Sequence, residues 1–284
     1  MTETPAENTP TQRSRPREVV LDVDDVGVSF GEHRILKGVS LKLHRGETMV
    51  IMGGSGCGKS TLLRCIIGSV EPDRGEVRVA GTRFSDLRGD ALLAHRTKLG
   101  ILFQSGALFH SMSVYENIAI VLREHTPLNE EEIAILVRMK LEMVGLRHAE
   151  DLLPSEISGG MKKRVALARA IALDPEIMLY DEPGAGLDPV TLAGVDRLIS
   201  TLARVRSIGS LVVTHRIASG LSLADRVIFL HNGRILAEGT PDDIRAHPDP
   251  HIQQFLVGSA EGQGATAEAT QCYKKSLLGE AMQS

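Results

Sequence analysis

Gly53-Gly54-Ser55-Gly56-Cys57-Gly58-Lys59-Ser60 brings the chemistry of anion binding into eight residues and matches the P-loop pattern in full. Glycines there let successive main-chain N–H groups curl around a phosphate chain. Lys59 adds a positive charge for the β- and γ-phosphates, and the Ser60 hydroxyl is a ligand for Mg²⁺. The compact apolar run Thr48–Met52 precedes the loop and the helical run Ser60–Ile67 follows it, so a helix points its positive end at the same anion.

A second group of residues supplies acids and a base. Ile177-Met178-Leu179-Tyr180-Asp181-Glu182 reads as an apolar strand that delivers two carboxylates to its carboxyl end, where open parallel sheets bind ligands. Asp181 suits the metal, and Glu182 suits a general base that polarises the attacking water. His215 follows the strand Ser210–Thr214, where it either donates to a γ-phosphate or is a satisfied surface histidine. Gln104, after the strand Leu99–Phe103, is placed to bridge metal, water and a moving helical part. Ser158-Gly159-Gly160 opens the helical run Met161–Leu173; the serine caps it, and the glycine amides leave a further anion pocket.

The elements that carry these residues alternate. Short strands at Val19–Val23, Val26–Phe30 and Ser40–Leu43 come first, then the strand–loop–helix unit at 48–67. From about Asp90 to Glu156 the spacing turns helical, most clearly at Asn129–Val144 with Ile133, Leu136, Val137, Met139, Leu141 and Val144. After Pro154, Ile177–Tyr180 and Leu211–Thr214 read as buried parallel strands separated by helices. Arg226–Leu230 and Arg234–Glu238 flank His231-Asn232-Gly233, a hairpin signal, and Thr240 caps a helix with Pro241 at its first position. Residues 1 to about 17 and those beyond about Gly258 read as polar tails; the second either stays loose or clasps a neighbouring subunit.

Composition narrows the function classes. The 284 residues hold 32 Lys plus Arg against 36 Asp plus Glu, a formal net charge of −4, which argues against a nucleic-acid-coating protein. Three cysteines, Cys57, Cys65 and Cys272, make no disulfide framework or zinc site and suit a reducing compartment. Cys57 has no redox task in this reading. The first residues lack the apolar stretch of a signal peptide, and no apolar run approaches the roughly 18 residues of a spanning helix. The expectation is a cytoplasmic protein that reaches a membrane only through a partner.

In this order and spacing, Gly53–Ser60, Gln104, Ser158-Gly159-Gly160-Met161-Lys162, Ile177–Glu182, Gly186-Leu187-Asp188 and His215 resemble the ATP-binding cassette (ABC) ATPase family over roughly Val19 to Gly258. The resemblance implies an α/β P-loop NTPase core with an antiparallel β subdomain and an α-helical subdomain at about 105–160, within a cassette at 18–258. It implies ATP and Mg²⁺ as ligands. ATP would be held by Gly53, Gly54, Ser55, Gly56, Cys57, Gly58, Lys59, Ser60 and Thr61 of one copy and by Ser158, Gly159 and Gly160 of the other. Ser60, Gln104 and Asp181 would hold the metal; Glu182, His215 and Gln104 would carry hydrolysis. Phe30 either stacks on adenine, as the family's aromatic does there, or is a buried strand-end residue.

A narrower likeness is to the ATPases of the Mla phospholipid-transport systems. It rests on Phe103–Phe109, Leu122-Arg123-Glu124-His125-Thr126, Met139–Glu142, Val144–Arg147, Pro248-Asp249-Pro250, Gln254-Phe255-Leu256 and Met161. Gly184-Ala185-Gly186 departs from the wider family's Thr-Ser-Ala, and like Met161 it lies at the seam between copies. That likeness implies a homodimer on the cytoplasmic face of the inner membrane, an MlaE-like permease, an MCE-domain lipid-binding protein and a STAS-domain protein. The alternatives are a cassette subunit importing another solute and a soluble, non-transport ABC ATPase.

Overall fold

Alternation along the central strands divides the interior into two cores. The computed structural model describes residues 18–258, and the tails expected at 1–17 and 259–284 lie outside the described residues. Strands β1 (Val19–Phe30) and β2 (His33–His44) form a long antiparallel hairpin. After it, β3 (Thr48–Met52) enters a second sheet, and β4 (Arg74–Val79) returns to pair with β1 in the order β2-β1-β4. The second sheet adds β5 (Leu99–Leu102), β6 (Ile177–Asp181), β7 (Gly209–Val213), β8 (Arg226–His231) and β9 (Arg234–Gly239). Its order is β5-β6-β7-β3-β8-β9, parallel throughout except for the terminal β8–β9 hairpin.

In the middle of that sheet, β3 and β7 are buried along their whole length. Met49 and Ile51 face one core, Val50 and Met52 the other, as a period of two requires. On the first side lie the small antiparallel sheet and α1 (Lys59–Ile66). After α2 (Gly89–Arg96), the segment 105–160 holds α3 (Val114–His125) and α4 (Glu130–Met143). With α5 (Gly159–Ala170), α6 (Pro189–Arg206) and α7 (Ile217–Leu223), these helices cover the second side. The chain then forms α8 (Pro241–Arg245) and α9 (Pro250–Gly258). Among the described residues no helix is long and apolar enough to cross a membrane.

Local differences from the sequence reading have local causes. The two strands expected at 19–30 are one, because Asp25 takes a left-handed φ of 48° and the register slips there without breaking the pairing. Asp25 is held by the Arg74 guanidinium, whose Nε lies 2.7 Å away. The helix expected at Met161–Leu173 begins two residues earlier and ends at Ala170. Ser158 accepts from the Met161 N–H at 3.2 Å, which puts both glycines in the first turn. Asn129 and Thr240 each close a capping box, with Glu132 and Asp243.

One ion pair ties the helical layer to the sheet. The Lys140 side chain on α4 is 1% exposed and donates to the Asp174 carboxylate at 2.7 Å, in the turn that leads to β6. Asp174→Asn is expected to destabilise the fold by about 2 kcal/mol, below the roughly 3–5 kcal/mol of a fully buried pair that loses one partner, because Asp174 keeps 61% of its side chain in water. A lowered urea midpoint at unchanged slope measures it.

Candidate functional site

Four parallel strands deliver the predicted residues to one edge of the sheet. Gly53 follows β3, Glu182 follows β6, His215 lies just beyond β7, and Gln104 lies just beyond β5. The phosphate loop itself is held by close backbone approach. A Cβ on Gly53, whose φ is 150°, would stand 2.1 Å from the Leu230 carbonyl oxygen of β8. One on Gly58, φ 110°, would meet Leu36 of β2 at 2.7 Å. No side chain fits at Gly53, and at Gly58 the positive φ strains any residue but glycine. The β8–β9 turn presses on the same loop, with the Gly233 N–H donating to the Cys57 carbonyl at 3.1 Å.

The first turn of α1 carries no acidic residue and no side-chain cap, so its N–H groups face the loop with their partial positive charge uncancelled by a side chain. Lys59 Nζ donates to the carbonyls of Gly53 and Gly54 at 2.7 and 2.8 Å, which arches its stem across the loop. Gly54 and Gly56 face open space. A chain of phosphate oxygens suits this cradle of amides and one ammonium. Ser60 and Thr61 continue the helix, with Ser60 exposed.

Asp181 and Glu182 face different partners. Burial first, then the neighbouring charge of Glu182, pushes the Asp181 carboxyl above its ordinary range; Lys163, Lys59 and Arg64 oppose the shift. Glu182 has a left-handed φ of 47°, a backbone that costs a non-glycine residue on the order of 1–3 kcal/mol. That kink turns its carboxylate toward β7. Oε1 accepts from the His215 main-chain N–H at 2.9 Å and pairs with His215 Nδ1 at 2.7 Å; Oε2 accepts from the Thr214 hydroxyl at 3.1 Å. The acid is nearly buried, whereas His215 is exposed. Ser60 and Asp181 line one cleft, and Gln104, Asp181 and Gly186 line the adjoining one. A hydroxyl, an amide and one under-compensated carboxylate form a hard oxygen set that fits Mg²⁺. Among the described residues no three His, Cys, Asp or Glu side chains cluster as a metal site of their own.

Ser158–Gly160 begins α5 and packs on another helix. Among the described residues no hydrogen bond joins it to Gly53–Ser60; its neighbour is α6, where a Cβ on Gly160 would meet Thr191 at 2.3 Å. Asp188 caps α6 by accepting from the Val190 and Thr191 N–H groups at 3.0 Å. Gly159 and Gly186 face open space. Phe30 is half exposed at the β1–β2 turn, so the buried strand-end reading is excluded.

The profile described as ABC transporter matches residues 36–185. The intermembrane phospholipid transport system ATP-binding protein MlaF of Escherichia coli (strain K12) is 44% identical over 243 residues, which cover 86% of this chain and 90% of that protein. This chain belongs to the ABC transporter family. Among solved structures, cbiO1 from Clostridium perfringens, part of the ABC transporter complex cbiONQ, matches with a TM-score of 0.75 at 30% identity, covering 81% of this chain and 92% of its own. The dimeric post-hydrolysis structure of the cassette MJ0796, bound to ADP and Pi, matches at 0.70 and 32%, covering 78% and 98%. The protein is therefore an ATP-hydrolysing cassette with the P-loop ABC ATPase fold.

The cassette brings Lys59, Ser60, Asp181, Glu182, His215 and Gln104 to one sheet edge and packs Gly160 on α6, with no hydrogen bond from Ser158–Gly160 to the phosphate loop among the described residues. Three side chains not singled out from the sequence hold the site together. Asn117 of α3 is fully buried and pins the main chain of Phe109, Met112 and Ser113. Lys163 and Arg169 of α5 grip the loop after Gln104. A polar residue on an otherwise apolar helix face was the available signal for Asn117. Gly53→Ala is expected to weaken nucleotide binding by about tenfold or more, whereas Gly54→Ala, in open space, changes it by less than about threefold. A fluorescent-ADP titration of both variants reads the contrast.

Proposed function

We propose that this cassette is the ATP-hydrolysing subunit of a transporter that moves phospholipid between bacterial envelope membranes, working as a homodimer on the cytoplasmic face of the inner membrane. The observation that carries the lipid reading is the 44% identity to MlaF over nearly the whole of both chains. Sequence features shared with that group, Phe103–Phe109 above all, lie where the cassette presents half-exposed Phe103 and Phe109. The partners in this reading are an MlaE-like permease, an MCE-domain lipid-binding protein and a STAS-domain protein.

Each ATP lies between Lys59 of one copy and Ser158–Gly160 of the other, with Phe30 against the adenine. The separation of Ser158–Gly160 from Gly53–Ser60 within one chain supports this, since a second copy has to complete the cradle. Ser60, Asp181 and Gln104 hold Mg²⁺, which when bound offsets the charge of the phosphate oxygens. Glu182 polarises the attacking water; Thr214 and His215 fix its carboxylate. His215, exposed beside it, donates to the γ-phosphate. A γ-phosphate gives both half-sites one anion to share, so closure follows ATP and opening follows its hydrolysis.

Two variants test the chemistry. Lys59→Ala is expected to lose most ATP affinity. Glu182→Gln is expected to keep ATP affinity within about threefold, lower hydrolysis on the order of a hundredfold or more, and run as a dimer in size-exclusion chromatography with Mg·ATP. Purification from native membranes tests the assignment: a polytopic permease should come with the chain, and its ATPase should rise with phospholipid in proteoliposomes. Stimulation by a water-soluble solute and not by lipid would overturn it.

A further inference from the structure

Lys163 is 6% exposed on α5, five residues after Ser158, and its ammonium donates to the main-chain carbonyl of Gln104. Among the described residues no carboxylate lies within ion-pair distance of it. Burial pushes the ammonium below its ordinary range, and the more distant charges of Asp181 and Glu182 oppose that shift. Six residues further along the helix, Arg169 donates to the carbonyls of Gly106 and Ala107 at 2.9 and 2.8 Å and lies 5.7 Å from the Phe109 ring centroid. Burial also lowers the Arg169 guanidinium. One helix thus spends two poorly solvated cations on the backbone of a single loop. A methionine of similar length would fill the Lys163 space without that desolvation cost, so packing alone does not account for the charge.

We propose that Lys163 is a positioning residue: it ties the main chain of Gln104 to α5, so that the Gln104 side chain is held at its site beside Asp181. This rests on the reading of Gln104 as a residue that serves the nucleotide and its metal. The consequence is geometric. Ser158–Gly160 starts the same helix that carries Lys163, and in the proposed dimer it serves the other nucleotide. Gln104 of one half-site and Ser158–Gly160 of the opposite half-site therefore move as one body, and a change at one nucleotide reaches the other through a single helix.

Steady-state ATP hydrolysis of the full chain tests this with Lys163→Met, Lys163→Arg, Gln104→Ala and the double variant Lys163→Met/Gln104→Ala. Lys163→Met should lower kcat by roughly tenfold, leave KM for ATP and ATP affinity within about twofold, and be restored to more than about half by Lys163→Arg. In the Gln104→Ala background the same change should lower kcat by less than about twofold, because the side chain it positions is gone. A tenfold loss that persists in that background overturns the proposal and leaves the Gln104 reading intact, as does an unchanged kcat in Lys163→Met. Wild-type kcat in Gln104→Ala alone would instead remove the Gln104 reading beneath it. If Lys163→Met does not fold, Lys163→Gln, a neutral donor to the same carbonyl, takes its place: near-wild-type kcat supports the tether, and a tenfold loss independent of Gln104 overturns it.

Discussion

Main chain pressed against main chain is the constraint from which the rest of the cassette follows. The Gly53 Cα approaches the Leu230 carbonyl too closely for any side chain, and Gly233 comes as near to Ile35, where a Cβ would stand 2.2 Å from the carbonyl oxygen. These two contacts lock the phosphate loop between the end of β8 and the start of β2. A loop that must bind an anion with its own N–H groups cannot also satisfy them internally, so its shape has to be imposed from outside. That requirement explains why β3 is central. Strands β7 and β8 flank it in parallel, and both sheet faces are covered by apolar side chains.

The second theme is charge held only partly compensated. Lys59 rests on two carbonyls, Lys163 on one, and Asp181 is raised by burial beside Glu182. Each arrangement costs folding free energy, and none is the pairing a stability-optimised interior would choose. Together they leave a site whose cations and anions gain from a polyanion and a divalent cation arriving as a set. Glu182 is the exception, fully engaged by Thr214 and His215, and its left-handed backbone is the strain that secures this aim. The fold thus fixes the carboxylate proposed as general base and, among the described residues, leaves Lys59 and Asp181 without a carboxylate or ammonium partner of their own.

Much of this was legible in the amino acids. The glycine spacing at 53–58, the strand before Asp181, the turn at Asn232-Gly233 and the caps at Ser158 and Thr240 are local signals, and each element formed where its signal lay. Boundaries moved by one to three residues where a positive φ or a cap decided the matter, as at Asp25 and Ser158, whereas the strand expected at 40–43 starts seven residues earlier, at His33, where it pairs with Phe30. What sequence spacing could not give was the partner of Lys163, 59 residues away, or those of Arg169, 62 and 63 away. A lysine on a helix reads as solvated until the topology shows what lies over it. Lys163 and Arg169 are both of this kind: polar, helical, and assigned by tertiary contact alone.

The placement of Ser158–Gly160 is where these themes meet. Its bare glycine amides resemble those of the phosphate loop, but the chain packs them on Thr191 of α6, and Asp188 at the cap of that helix fixes Thr191 in turn. In the proposed reading, glycine amides held this way and without a lysine of their own chain make half of an anion site. In the proposed dimer the missing half is Lys59 of another copy, and α6 and α5 bring Asp188 and Ser158 to the seam as one unit. The same α5 continues inward to Lys163 and Arg169 and so to the loop at Gln104–Phe109. Within that proposal, closure of the seam and displacement of that loop are a single mechanical event, because one hydrogen-bonded helix carries both contacts.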